Sequence, residues 1–149
     1  MIEHNGWLNI YKPTNISSFG VIKKIKKKFN LKKIGHAGTL DPLAEGVLPI
    51  AIGKTTKLIQ FINKEVKEYE FEIKWGEQTS TDDREGEVID RSDYIPSELE
   101  IKRALDFFLG EIIQLPPKAS AVKINGERAY SLFRKNKEFK TKEKVVTIY

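Results

Sequence analysis

The 149-residue chain predicts an α+β fold, a mixed, largely antiparallel sheet flanked by helices. Three observations carry this. Segments with apolar residues at helical spacing alternate with short runs of period two. The strongest period-two run, Glu68 to Trp75, is two-faced: Tyr69, Phe71, Ile73 and Trp75 fall on one side, Glu68, Glu70, Glu72 and Lys74 on the other. A strand with one charged face belongs in a sheet with one wet side, which antiparallel sheets tolerate and buried parallel sheets do not. There is no internal repeat, low-complexity tract or interdomain linker, so residues 1–149 read as one modest domain with a real core.

The elements follow in order. Trp7 to Tyr11 alternates and reads as a short strand, and Lys12-Pro13-Thr14-Asn15 as a turn. Ser17 or Ser18 caps a helix whose apolar face is Ile22, Ile25 and Phe29. Gly46 to Ile52 is a short apolar run, a buried strand or loop interrupted by Pro49. Thr55 or Thr56 opens a helix carrying Leu58, Ile59, Phe61 and Ile62. After the Glu68–Trp75 strand, Thr79 to Gly86 is a polar loop and Glu87 to Asp90 a further short strand. Ser97-Glu98-Leu99-Glu100 is a capping box. It opens a helix with Ile101, Ala104, Leu105, Phe108 and Leu109 on one face, ended by Gly110. Strands are predicted at Ile112–Leu115 and Ala121–Asn125 around Pro116-Pro117, a helix at Ala129–Lys135, and a strand at Val145–Tyr149.

Composition narrows the function. The absence of cysteine excludes a disulfide scaffold and a thiolate metal site, and fits a reducing cytoplasm. His4 and His36 are too few for a histidine-rich metal centre. No apolar stretch is long enough to span a bilayer, and no signal-peptide pattern opens the chain. The net charge of +5 favours a polyanionic partner. Lys23, Lys24, Lys26, Lys27, Lys28, Lys32 and Lys33 crowd into one stretch. Alone they read as a solvated helix face; beside a catalytic loop they read as a phosphate-attracting flank.

Such a loop follows them. Gly35-His36-Ala37-Gly38-Thr39-Leu40-Asp41-Pro42-Leu43-Ala44-Glu45-Gly46-Val47-Leu48-Pro49 is glycine-punctuated and longer than a plain connection needs. Asp41 heads an Asp-Pro turn with a histidine five residues earlier. From the residues alone Asp41 reads as a turn former before Pro42 and Tyr69 as a core aromatic, while His36 could be a loop hydrogen-bonder and Lys12 a surface lysine.

The loop resembles the catalytic loop of the TruB family of tRNA pseudouridine synthases almost residue for residue. Further blocks agree in the family's order. Lys12-Pro13 with Ser17-Ser18 resembles its first motif; Lys67, Tyr69 and Phe71, leading to Gly76, Thr79, Thr81, Asp83 and Gly86, resemble its second. Gln114, Pro116, Pro117, Ser120, Ala121, Lys123, Gly126, Ala129 and Tyr130 resemble the segment that members fold over the RNA, and Val146 to Tyr149 the strand after it. Asn15 departs from the usual glycine of the first motif, and Glu45 from a small hydroxyl residue.

The resemblance implies the pseudouridine synthase catalytic fold and a tRNA uridine-to-pseudouridine isomerase acting at position 55, in the T-arm loop. Asp41 would be the nucleophile, a residue type ionised at neutral pH and able to attack without an activating base. Tyr69 would stack on the extruded uracil and serve as a base toward C5. His36 would help hold the target base out of its stack. Gly35, Gly38 and Thr39 would allow close RNA approach, Lys12 would support the loop or touch phosphate, and Lys123 and Tyr130 would contact RNA. No cofactor, metal or protein partner is implied. The family's catalytic domain continues with an arginine that pairs with the aspartate, and a PUA domain usually follows. The chain is therefore expected to be the N-terminal portion of the catalytic domain, truncated at its C-terminus, with the PUA domain absent and activity alone weak or none. The alternative is a non-catalytic RNA-binding or tRNA-folding module.

Overall fold

The computed structural model describes residues 4–62, 66–117, 120, 122–135 and 137–149. The backbone divides into two compact units, Met1–Glu70 and Phe71–Tyr149.

In the first unit, β1 (Gly6–Lys12) and β2 (Ile34–His36) flank β3 (Gly46–Ile52) in a three-stranded antiparallel sheet of order β1-β3-β2. Pro49 is tolerated inside the central strand opposite Asn9. Helix α1 (Ser18–Lys28) covers one face. Its spacing explains why: Ser18, Val21, Ile22 and Ile25 recur at helical intervals, and the first three are buried. Val21 and Ile22 meet Leu48 and Ile50, with Leu8, Ile10, Ile16, Ile25 and Ile34 packed around them. A 3₁₀ segment (Gly53–Leu58), which begins just before the predicted helix start at Thr55 or Thr56, runs into the one-turn α2 (Ile59–Ile62).

In the second unit, β4 (Glu77–Thr79) pairs with β5 (Val88–Arg91). Helix α3 (Glu98–Leu105) opens on the predicted capping box, with the Ser97 hydroxyl accepting from Glu100 N and the Glu100 carboxylate accepting from Ser97 N. A 3₁₀ turn over Asp106–Phe108 closes it. Strand β6 (Gly110–Gln114) pairs with β9 (Lys144–Ile148). Strands β7 (Lys123–Ile124) and β8 (Glu127–Arg128) form a hairpin that leads into α4 (Ala129–Arg134). Its two-residue loop, Asn125-Gly126, has φ of 49° and 86°, the left-handed pair that a tight hairpin requires. Ala121, placed at the start of the predicted strand, lies outside the described residues.

The α+β class holds, but among the described residues the strands form four separate antiparallel sheets, one of three strands and three of two, rather than one sheet. The main correction concerns residues 68–75. This segment forms no ladder, and its supposed inner face is exposed: Tyr69 65%, Phe71 74%, Ile73 57% and Trp75 41%. Alternation gives a segment two faces, but a strand also needs a neighbour to take its backbone hydrogen bonds, and none pairs with it among the described residues.

Candidate active site

The Asp41 loop is built between β2 and β3 and held from below by the turn that precedes α1. Asp41 itself is exposed. Its carbonyl accepts from Ala44 N at 3.1 Å, closing a turn with Pro42 at the position where its fixed φ is favourable. Three anchors fix that turn to the first unit.

The first is Ser18. It is 2% exposed; its hydroxyl donates to Leu40 O and accepts from Leu40 N, both at 2.9 Å. One side chain thus takes both backbone groups of the residue before Asp41, as a strand neighbour would. Its neighbour Ser17 is the helix cap, accepting from Gly20 N at 3.0 Å. The sequence left the cap open between the two; the structure gives each serine a different task.

The second anchor is Lys12, which is 0% exposed. Its ammonium donates to Pro13 O at 2.9 Å, Ile16 O at 2.8 Å and Pro42 O at 3.3 Å. It joins the first turn to the residue after Asp41. Burial lowers its pKa, while the negative charges of Asp41 and Glu45 pull the other way. Of the two roles open to Lys12, loop support has the geometry; a phosphate contact does not, because the buried ammonium is committed to carbonyls. Asn15 completes this turn with φ of 62°, the left-handed conformation that asparagine tolerates in place of glycine.

The third anchor is the strand pair. Ala37 is buried and its N–H donates to Pro49 O at 2.9 Å, extending the β2–β3 ladder by one bond. His36 is half-buried at the end of β2, its Nδ1 against Gly38 O. A carbonyl only accepts, so Nδ1 carries the proton and the ring is tethered to its own loop. Gly38 has φ of 79° with open space around it, which the turn requires and a Cβ would resist. Gly35 has a different reason: a Cβ there would stand 2.9 Å from Ile59 Cδ1. Its lack of a side chain lets the α2 segment lie against the sheet. Thr39 is exposed between Gly38 and Leu40.

Glu45 closes the loop. Its carboxylate, as hydrogen-bond acceptor first and as a charge last, together with partial burial, holds the Tyr11 phenol above its usual range. Tyr11 is a member of the site that the sequence reading passed over, as is Ser18.

The structure therefore brings Lys12, His36, Gly38, Thr39 and Asp41 together in the first unit. Tyr69 belongs to the same unit, but among the described residues no hydrogen bond joins it to the Asp41 loop. Lys123, exposed on β7, and Tyr130, 43% exposed on α4, belong to the second. Among the described residues no group of three or more His, Asp and Glu could hold a metal ion, and no helix is long and apolar enough to cross a membrane.

A family model described as TruB family pseudouridylate synthase, N-terminal domain, matches residues 26–149. The chain belongs to this family. It is 50% identical over 145 residues to tRNA pseudouridine synthase B of Wolbachia pipientis subsp. Culex pipiens, covering 97% of this chain and 41% of that protein. It is 49% identical over 146 residues to the protein of the same name from Clostridium tetani, covering 97% and 50%. The chain thus spans half or less of these TruB relatives. Among solved structures, one of a Cbf5–Nop10–Gar1 complex matches with a TM-score of 0.54 and 34% identity, over 79% of this chain and 31% of that one. A second, an H/ACA ribonucleoprotein bound to a substrate RNA containing 2′-deoxyuridine, matches with a TM-score of 0.51 and 30% identity over 73% and 29%.

Proposed function

We propose that this chain is the N-terminal portion of the catalytic domain of a tRNA pseudouridine synthase, and that Asp41 is its nucleophile toward uridine 55 of the T-arm loop. The observation that carries the reading is the Asp41 turn, a carboxylate presented to solvent on a backbone fixed on both sides by Ser18 and Lys12. A nucleophile gains from being held in one geometry before substrate arrives.

The reaction breaks the C1′–N1 bond of uridine and joins C1′ to C5 of the same uracil. N1 gains a proton and C5 loses one, so no oxidant, reductant or second substrate enters. Asp41 attacks C1′ or C6, or assists glycal formation, once the base has left its stack. Extrusion costs a few kcal/mol, and His36, tethered beside the loop, is placed to fill the vacated space. Tyr69, exposed in a segment that forms no ladder, is available to stack on the extruded uracil and to accept the C5 proton. Lys123 and Tyr130 contribute RNA contacts. Localisation in the cytoplasm follows from the substrate.

The test is single-turnover pseudouridine formation on an unmodified tRNA transcript, with protein in excess and Asp41→Asn alongside. Product that depends on Asp41 supports the reading. Equal product from the variant overturns it. RNA binding without product from either protein selects the non-catalytic RNA-binding module instead.

A further inference from the structure

The outward face of α1 is unexplained by the loop chemistry. With Ser18, Val21, Ile22 and Ile25 turned to the core, the opposite line of the helix is Gly20, Lys23, Lys24 and Lys27, at intervals of three, four and seven. These residues line a shallow groove with Asn15 and Ile16 from the preceding turn. A Cβ at Gly20 would stand 2.9 Å from Ile16 Cγ1, so a side chain there would fill the groove floor.

We propose that this groove binds the sugar-phosphate backbone of the RNA, with Lys23, Lys24 and Lys27 neutralising consecutive phosphates of one strand. The identity of the polyanion rests on the tRNA reading above.

Four observations support it. Among the described residues, no carboxylate forms an ion pair with any lysine of α1. Like charges three and four residues apart repel on a helix surface, so the stripe weakens α1 unless an anion meets it. Lys26, Lys27 and Lys28 in the last turn favour the helix dipole, but Lys23 and Lys24 lie too far from the end for that account. The groove also joins the active loop: Ile16 at its floor and Pro42 beside Asp41 share the Lys12 ammonium as donor. This shared donor sets the groove beside the Asp41 turn, within reach of a strand whose nucleotide sits there. A bilayer is a poorer partner, because the apolar face that would insert is already packed into the core.

The flanking lysines supply the control. Lys26 and Lys28 lie to either side of the stripe, and Lys28 Nζ sits 5.7 Å from the centre of the Phe29 ring. Lys23→Ala/Lys27→Ala and Lys26→Ala/Lys28→Ala remove equal charge from one helix, and alanine favours helix in both. Affinity for an unmodified tRNA transcript would be measured from 50 to 200 mM salt by fluorescence anisotropy, with circular dichroism to confirm α1. The slope of log affinity on log salt should shrink by about 1.4–1.8 for the stripe pair, so its affinity loss over this range should be about tenfold smaller than wild type's. The flank pair should shift by less than half as much.

Equal shifts in both pairs, or none in the stripe pair, would overturn the groove. If the stripe pair loses its helix, Lys23→Gln/Lys27→Gln replaces it with the same two readings. Asp41→Asn separates this proposal from the one it rests on. Product from that variant equal to wild type's defeats the nucleophile role of Asp41 without touching the salt slopes, and unchanged slopes defeat the groove without touching product.

Discussion

Lys12→Met tests whether a buried cation holds the Asp41 turn. Methionine keeps the apolar stem and removes the ammonium. Three carbonyls then lose their donor, those of Pro13 and Ile16 nearby and that of Pro42 thirty residues on. A buried acceptor left without a partner costs about 1–3 kcal/mol. Against this, the fold no longer bears the cost of burying a charge, which is several kcal/mol. The 3.3 Å bond to Pro42 is also the weakest of the three. The net loss should be about 1–3 kcal/mol, read as a lower urea midpoint at unchanged m-value. Linkage adds a sign. Burial lowers the folded pKa of Lys12 below 10.5, so as pH rises toward that value the unfolded chain holds more protons and the wild type gains stability. The gap between wild type and variant should therefore widen from neutral pH toward 10.5. Unchanged stability together with unchanged single-turnover rate would refute the anchoring role.

Three further outcomes are expected. Ser18→Ala leaves Leu40 N–H and C=O without their partner and should cost about 1–2 kcal/mol and slow single-turnover isomerisation; a rate equal to wild type would show that the turn holds without it. Tyr69→Phe should bind the tRNA transcript as wild type does but form product more slowly, whereas unchanged turnover would leave Tyr69 with no part in the chemistry. Glu100 has its pKa lowered to about 2 by the Ser97 hydroxyl, the Tyr94 hydroxyl and the Ser97 N–H, in that order. The stability it supplies is complete above the ordinary value of 4.5 and lost as pH falls toward 2; thermal melts of Glu100→Gln should lack that acid-side decline.

Much of the fold was legible where its signals are local. Alternation marked β1, the apolar run marked β3, and Ser-x-x-Glu marked the start of α3. Strand β2 escaped because three residues cannot display a period. The segment at 68–75 misled because its alternation was real but its pairing depends on residues elsewhere in the chain. Lys12 was taken for a turn residue, although extending β1 by one position places it on the same face as Leu8 and Ile10. Ser18 likewise falls four and seven residues before Ile22 and Ile25. A polar residue in phase with an apolar face signals a buried anchor, and both anchors of the Asp41 turn carry that signal. The Asp41 loop was readable from its glycines and prolines, but its supports were not, because they reach it from a strand end and a helix start more than twenty residues earlier.

The adjacency of Ser17 and Ser18 has a consequence for how the site assembles. One hydroxyl terminates the helix and the next grips Leu40. The two serines share a peptide bond, so the first turn of α1 and the backbone beside Asp41 cannot order independently. Fraying of that turn releases the carboxylate's support, and a correctly seated carboxylate requires an intact helix start. The geometry of the Asp41 carboxylate is thus an all-or-none property of the folded first unit, not a local property of its loop.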